Sequence, residues 1–179
     1  MAITLNGSTG ITSDSIASLA ATKLTGTIPD ANAPSGSVIQ VVQGTTSTDV
    51  GISSLSYVDI GLSASITPSS SSSKILIIVT CSADAIRASN GITESFTNIV
   101  RNSTQIYEKV NGYAGAATSN TGYWYAPVNP SMTYLDSPAT TSSTTYKVQA
   151  KLNDTNNTSA IRMQINSGIS SIILLEIVG

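Results

Sequence analysis

The chain has 179 residues, a net charge of −2, one cysteine and no histidine, and only 10% of its residues are charged. The missing histidines remove the commonest general base, metal ligand and pH switch, and the lone Cys81 excludes an internal disulfide or a cysteine metal cluster. The eight Lys and Arg are scattered without a basic stripe and no apolar run nears the ~20 residues of a membrane helix, so the sequence predicts no nucleic-acid partner and no membrane insertion.

Residues 1–36 differ from the rest and read as an arm and linker set apart from the main domain. Ile3 and Leu5 alternate as in a short strand, with Gly7 and Gly10 as turn punctuation before and after Ser8, and with Ile11 beyond. Ser13 or Asp14 can cap a short helix running to about Leu24. Ile16, Leu19 and Leu24 share its apolar face. A helix of two to three turns needs something to pack on. Gly26, Pro29 and Pro34 then make an extended linker. The N-terminus has neither the basic nor the apolar stretch of a secretory signal, so synthesis in a cytoplasm is expected.

Residues 37–179 predict a β domain. Ser37 to Gln43 reads as a strand and Thr45 to Ser56 as a polar loop. Val58, Ile60, Leu62, Ala64 and Ile66 alternate, the mark of a half-buried strand. Pro68 and the serines 69–73 connect it to Lys74–Ser82, an apolar run that contains Cys81 as a small core side chain. The two strands read as an antiparallel pair. Ala83 to Gly91 reads as a loop, and Ile92–Val100 and Gln105–Val110 as strands joined by a turn at 101–104. Asn111 to Pro130 is a long loop of small and aromatic residues, and such loops are often functional. Ser131–Leu135 is a short strand.

The C-terminal third carries the clearest pattern. Tyr146, Val148, Ala150 and Leu152 alternate with Lys147, Gln149 and Lys151, and Ile161, Met163 and Ile165 with Arg162 and Gln164. Joined by the turn-rich 153–158, they read as a hairpin. Ile172 to Val178 is apolar on nearly both faces. It belongs in the centre of a sheet, covered by a facing sheet and by another subunit. The sum is an all-β, antiparallel β-sandwich of the jelly-roll type with almost no helix. A surface poor in charge has little protection against association, which favours burial in an oligomer.

Leu24 to Ala31 (Leu-Thr-Gly-Thr-Ile-Pro-Asp-Ala) is similar to a segment common in bacteriophage tail-fibre and virion-surface proteins. The opening Ile3 to Ile11 resembles the start of many such chains, especially from phages of cyanobacteria. Gly36–Gln43, Ile66–Leu76 and Ser131–Leu152 resemble them too, so the likeness touches most of the chain through turn and strand motifs rather than a catalytic signature. The resemblance implies a virion-surface protein of the tail-fibre or head-decoration type. It also implies a homotrimer, docked on capsid or tail proteins by the arm residues Ile3, Leu5, Ile11, Ile16, Leu19 and Leu24.

Chemistry is sparse. The carboxylates form no paired motif, and the serines lack an activating histidine or a Ser-x-x-Lys placement, so no enzyme, metal or cofactor is expected. Glu176 stands in an apolar strand. It reads either as a rim or ion-paired residue or as half of a glycosidase pair. Tyr123-Trp124-Tyr125, with Tyr113 nearby, is the one aromatic concentration. It either plugs a core or subunit seam or stacks on a sugar such as a host-surface glycan. The alternative function is therefore a receptor- or carbohydrate-binding module, at a fibre tip or free of any virion.

Overall fold

The computed structural model describes residues 33–87, 91–115, 124–153 and 160–179. The arm residues Ile3, Leu5, Ile11, Ile16, Leu19 and Leu24, together with Tyr123, lie outside them. The described residues form twelve strands in chain order: β1 (Val38–Thr46), β2 (Val50–Ile52), β3 (Val58–Ile66), β4 (Lys74–Thr80), β5 (Ala83–Arg87), β6 (Gly91–Arg101), β7 (Thr104–Gly115), β8 (Trp124–Pro127), β9 (Ser131–Asp136), β10 (Thr144–Leu152), β11 (Ala160–Met163) and β12 (Ser170–Ile177). All ladders are antiparallel.

The sheet orders are β1-β12-β4-β9, β2-β11-β5-β8 and β3-β10-β6-β7. The first two run strand for strand in parallel lists: β2 follows β1, β5 follows β4, and likewise for the other two pairs. They amount to four long strands, each interrupted at one level. Backbone bonds tie the level together: Cys81 N–H donates to Pro130 O at 2.8 Å, Val128 N–H to Ala83 O at 2.8 Å, and Gln164 N–H to Ser82 O at 2.7 Å. Gln164, Asn166 and Ser167 take left-handed φ of 57°, 53° and 61° here, a conformation that L side chains avoid. A lock on Ser170 holds the kink, since its Oγ accepts from Gln164 Nε2 at 2.8 Å and from Ser82 N–H at 3.0 Å.

Counted as eight long strands, the chain fills one sheet in the order 1-8-3-6 and the other in the order 2-7-4-5. Two interleaved Greek keys of this kind define the jelly roll. The expected sandwich is thus the observed one, with its last strand, β12, central between β1 and β4.

Local pairing departs from the sequence reading. β3 and β4 do not pair; β3 pairs with β10, and β4 with β12 and β9. Residues 67–73 carry the chain from one sheet to the other. β10 and β11 are not a hairpin either, because β11 pairs with β2 and β5. Period-2 alternation reports that a strand has a buried face and says nothing of which strand lies beside it. Residues 83–87, expected as loop, form β5, and β2 and β8 lie inside stretches expected as loops. The β6–β7 hairpin is as expected.

The core lies between the sheets. Ile60, Leu62 and Ile66 of β3, Tyr146, Val148 and Leu152 of β10, and Ile99 of β6 meet Ile75 and Ile77 of β4 and Ile172 and Leu174 of β12, each at most 1% exposed. At about 1.5–3 kcal/mol for each large apolar side chain buried, this set is the main source of stability. Val58, expected on the same face, is 36% exposed. It lies past the irregularity where the β3–β10 register shifts between Lys147 and Gln149, and Gly61, at φ 76°, supplies the left-handed backbone there.

Candidate functional site

Alternation along each strand assigns the side chains that face away from the core. On the β1-β12-β4-β9 sheet, Ile172, Leu174, Ile75 and Ile77 face in, so their neighbours face out. The registers Val41↔Leu175, Leu175↔Leu76 and Leu76↔Leu135 set four apolar side chains in one row across four strands. The next outward row is Gln43, Ile173, Ile78 and Thr133. Val41 and Leu135 are 62% and 48% exposed. The reading of β12 as apolar on both faces therefore holds, and one of those faces meets solvent in the isolated chain.

The outer face of β3-β10-β6-β7 is the opposite in character. Gln149 Nε2 donates to Asp59 Oδ1 at 2.6 Å, and Lys147 Nζ lies 3.0 Å from the same carboxylate. Asn98 Nδ2 donates to Gln105 Oε1 at 2.8 Å and to Gln149 Oε1 at 3.4 Å. Tyr57 Oη donates to Glu108 Oε2, which also accepts from Gln105 Nε2 at 3.4 Å. The chain of bonds crosses all four strands. Burial works to raise the Asp59 pKa, but its bonds from Gln149 and Lys147 outweigh that and hold it below the usual value. The Tyr57 phenol is pushed well above its ordinary value, by burial first and then by Glu108. Lys151 Nζ sits between two rings, 4.7 Å from the Tyr57 centroid and 4.8 Å from that of Phe96, a geometry favourable to a cation. Most polar groups of this face thus find partners within it, while Asn98 Oδ1 is buried without one.

Two clusters lie deeper. Asp136, 5% exposed, is held by both sheets. Its carboxylate accepts from Arg101 Nη1 at 2.9 and 3.0 Å and from Tyr146 Oη at 2.7 Å. Burial, then Asp136, pushes the Tyr146 phenol far above its ordinary value. The second cluster answers the question set by Glu176. It is 1% exposed, and Oε1 accepts from Ser69 N–H at 2.6 Å and from Ser69 Oγ at 2.7 Å. The Gln40 carboxamide, with its nitrogen turned inward, donates to Oε2 at 3.2 Å. Glu176 is thus neither a rim residue nor an ion partner of Lys or Arg. It clasps the serine turn between β3 and β4 to the central strand.

Burial works to raise the Glu176 pKa, yet the bonds from Ser69, Ser73 and Ser70 hold it below the ordinary value of 4.5. A group with a depressed folded pKa stabilises above its unfolded pKa, and that contribution fades as pH falls through the folded value. Melting temperatures of wild type and Glu176→Gln should therefore differ most above about pH 5, with wild type higher, and converge towards pH 3. A gap that stays constant over that range would mean that charge plays no part in the clasp.

The aromatic set is divided. Tyr113 belongs to β7 at the edge of one sheet, and Trp124 and Tyr125 to β8 at the edge of the other, paired with β5 at Arg87 and Ile86. The described residues therefore put these three on strands rather than in a loop. Cys81 is buried, and burial pushes its thiol up to about 12 against the opposing effect of Ser170. Among the described residues, no group of three Cys, Asp or Glu side chains is placed to hold a metal ion. Among the same residues, no helix is long and apolar enough to cross a membrane. A hollow of about 100 Å³ between β3 and β10 is lined by Asp59, Gly61 and Lys147, with Leu62, Ser63 and Val148.

Sequence reasoning missed the Asp136 cluster and the polar ladder, because each joins residues far apart in the chain. The apolar row was half visible, as the doubly apolar pattern of residues 172–178. No family model and no curated protein matches the chain. Among solved structures, a chain of T=1 particles derived from infectious bursal virus is similar over 87% of this chain and 40% of its own, at 11% identity and a TM-score of 0.35. The VP2 subviral particle of infectious bursal disease virus matches over 87% and 42%, at 12% identity and a TM-score of 0.34. Latent PorU from Porphyromonas gingivalis matches over 81% and 14%, at 10% identity and a TM-score of 0.37. The chain thus spans about two fifths of the length of the virus-particle chains. The jelly-roll assignment rests on the strand order alone.

Proposed function

We propose that this chain is a non-enzymatic structural protein of a bacteriophage virion, a jelly-roll subunit that works by packing against other protein surfaces. The observation that carries the reading is the apolar row Val41-Leu175-Leu76-Leu135 on the outside of a complete sandwich. A folded domain with its core already closed has no internal use for such a row, and exposed sheet faces of this kind mark interaction sites. The polar face opposite, with its ladder of internal hydrogen bonds, and the low charge are consistent with a surface protein made for assembly.

The finer reading is a homotrimer that decorates the head or forms a small fibre. Residues 1–36 act as the arm that docks it on capsid or tail proteins, and three weak attachments add through effective concentration. The test is copy number in purified particles, by quantitative mass spectrometry against the major shell protein. A ratio near one is the expected result for a decoration protein, and a ratio matching tail components for a fibre. Absence from particles overturns the reading.

A further inference from the structure

The outer face of the β1-β12-β4-β9 sheet has an internal symmetry. A line drawn along the strands between β12 and β4 divides it in two. Across that line the registered neighbours are Leu175 and Leu76, then Ile173 and Ile78, then Ser171 and Thr80. The outer strands repeat the grading. Val41 on β1 stands in the row of Leu135 on β9, Gln43 in that of Thr133, and Thr45 in that of Ser131. Each half thus passes from large apolar, through mixed, to hydroxyl side chains at the same levels. The match breaks at one row, where Ile177 stands opposite Lys74.

We infer that this face closes on the same face of a second copy of the chain, about a two-fold axis running along the strands between β12 and β4. The inference deepens the assembly half of the proposed function by naming the surface and the partner. A two-fold contact must bring a surface onto itself, and this axis lays each row on the like row. Leu175 meets the partner's Leu76, Ile173 meets the partner's Ile78, and the hydroxyl rows meet each other. Lys74, the one ionisable side chain in these rows, meets the partner's Ile177 along its aliphatic stem rather than a second lysine. An unrelated partner requires no such self-matching. Contiguous apolar side chains on an outer sheet face mark an interaction site, whereas scattered ones do not. Two sheets can pack at about 10 Å with strands nearly aligned, as the proposed axis requires.

The experiment is mass measurement by light scattering on the full chain over a concentration series, with circular dichroism as the check on folding. Wild type is expected at two copies, or at six where a separate three-fold contact also forms. L76E puts a carboxylate against the partner's Leu175 and is expected to weaken pairing about 100-fold or more. L175K alone is expected to do the same. Leu76 and Leu175 are also cross-strand neighbours within one chain, so a rescue must come from separate chains: mixing L76E with L175K places the carboxylate of one copy opposite the ammonium of the other and restores the pair, with no charge pair inside either chain. A wild type of one copy, or of three insensitive to L76E, overturns the inference, as does a mixture that pairs no better than the single variants. Pairing in solution together with absence from particles would leave this contact standing and remove the virion reading.

Discussion

Asp136→Ala is expected to unfold the domain at a temperature about 6–20 °C lower than wild type, the shift that matches a loss of about 3–5 kcal/mol in a domain of this size. Asp136 ends β9 in one sheet, while Arg101 ends β6 and Tyr146 lies on β10 in the other. The carboxylate is therefore a polar tie through the apolar layer. Removing it leaves the Tyr146 hydroxyl buried without its acceptor and the Arg101 guanidinium without its counter-charge. Arg101 retains 28% side-chain exposure, so water can take over part of its solvation, which places the expected loss toward the lower end. Tyr146→Phe removes one hydrogen bond and leaves the ion pair intact, and is expected to cost about 1–2 kcal/mol. Scanning calorimetry of the two variants checks both numbers. An Asp136→Ala variant within 1 kcal/mol of wild type would show that the sandwich does not depend on the tie.

Gly44→Ala is expected to cost about 3 kcal/mol, the upper end of over-packing effects. A Cβ at Gly44 would lie 2.1 Å from the backbone oxygen of Ser63 and 3.2 Å from Ile172 Cγ2. The obstacle is backbone, and Ser63 is registered with Lys147 in the β3–β10 ladder, so it cannot move aside without loosening that ladder. Here β1 of one sheet and β3 of the other approach closely enough to exclude a methyl group. Gly51→Ala is the matched control. Nothing lies within 4 Å of its Cβ position, and stability within about 0.5 kcal/mol of wild type is expected. Urea denaturation of both variants measures the difference. Equal stabilities would mean that the two sheets can separate locally at little cost.

What the sequence made legible was what depends on neighbours two residues apart. β3, β10 and β12 were readable because each repeats a buried side chain at every second position, and β12 could be placed in the middle of a sheet because both of its faces are apolar. Pairing was not readable. A polar connection between two alternating segments suits a hairpin and a sheet-to-sheet crossing equally well, and residues 67–73 and 153–159 proved to join strands of different sheets. β5 escaped because Ala83-Asp84-Ala85-Ile86-Arg87 has almost none of the β-branched and aromatic residues that mark strands. The role of Glu176 was hidden for another reason. A carboxylate in an apolar strand suggests a basic partner, but hydroxyl and amide donors satisfy it as well, and the serines 69–73 that supply them lie more than a hundred residues earlier. A run of serines in a chain with a buried acid is a signal worth weighing in its own right.

The place of β12 has a consequence for how the domain is made. β1 has β12 as its ladder partner, and Gly36 N–H and Val178 N–H bond to Val178 O and Ser37 O at 2.8 and 3.0 Å. The first strand of the sandwich is therefore completed by the last. On a ribosome adding about 5–20 residues per second, β1 waits roughly 6–28 s for its partner to emerge. Throughout that time Val38, Val41 and Val42 hang on an unpaired edge. Nascent chains translated side by side offer one another that edge at high local concentration, so the crowding that favours assembly of finished subunits also threatens unfinished ones. Shielding of β1 during synthesis, by a chaperone or by spacing along the message, therefore bears on the yield of this protein separately from its final stability.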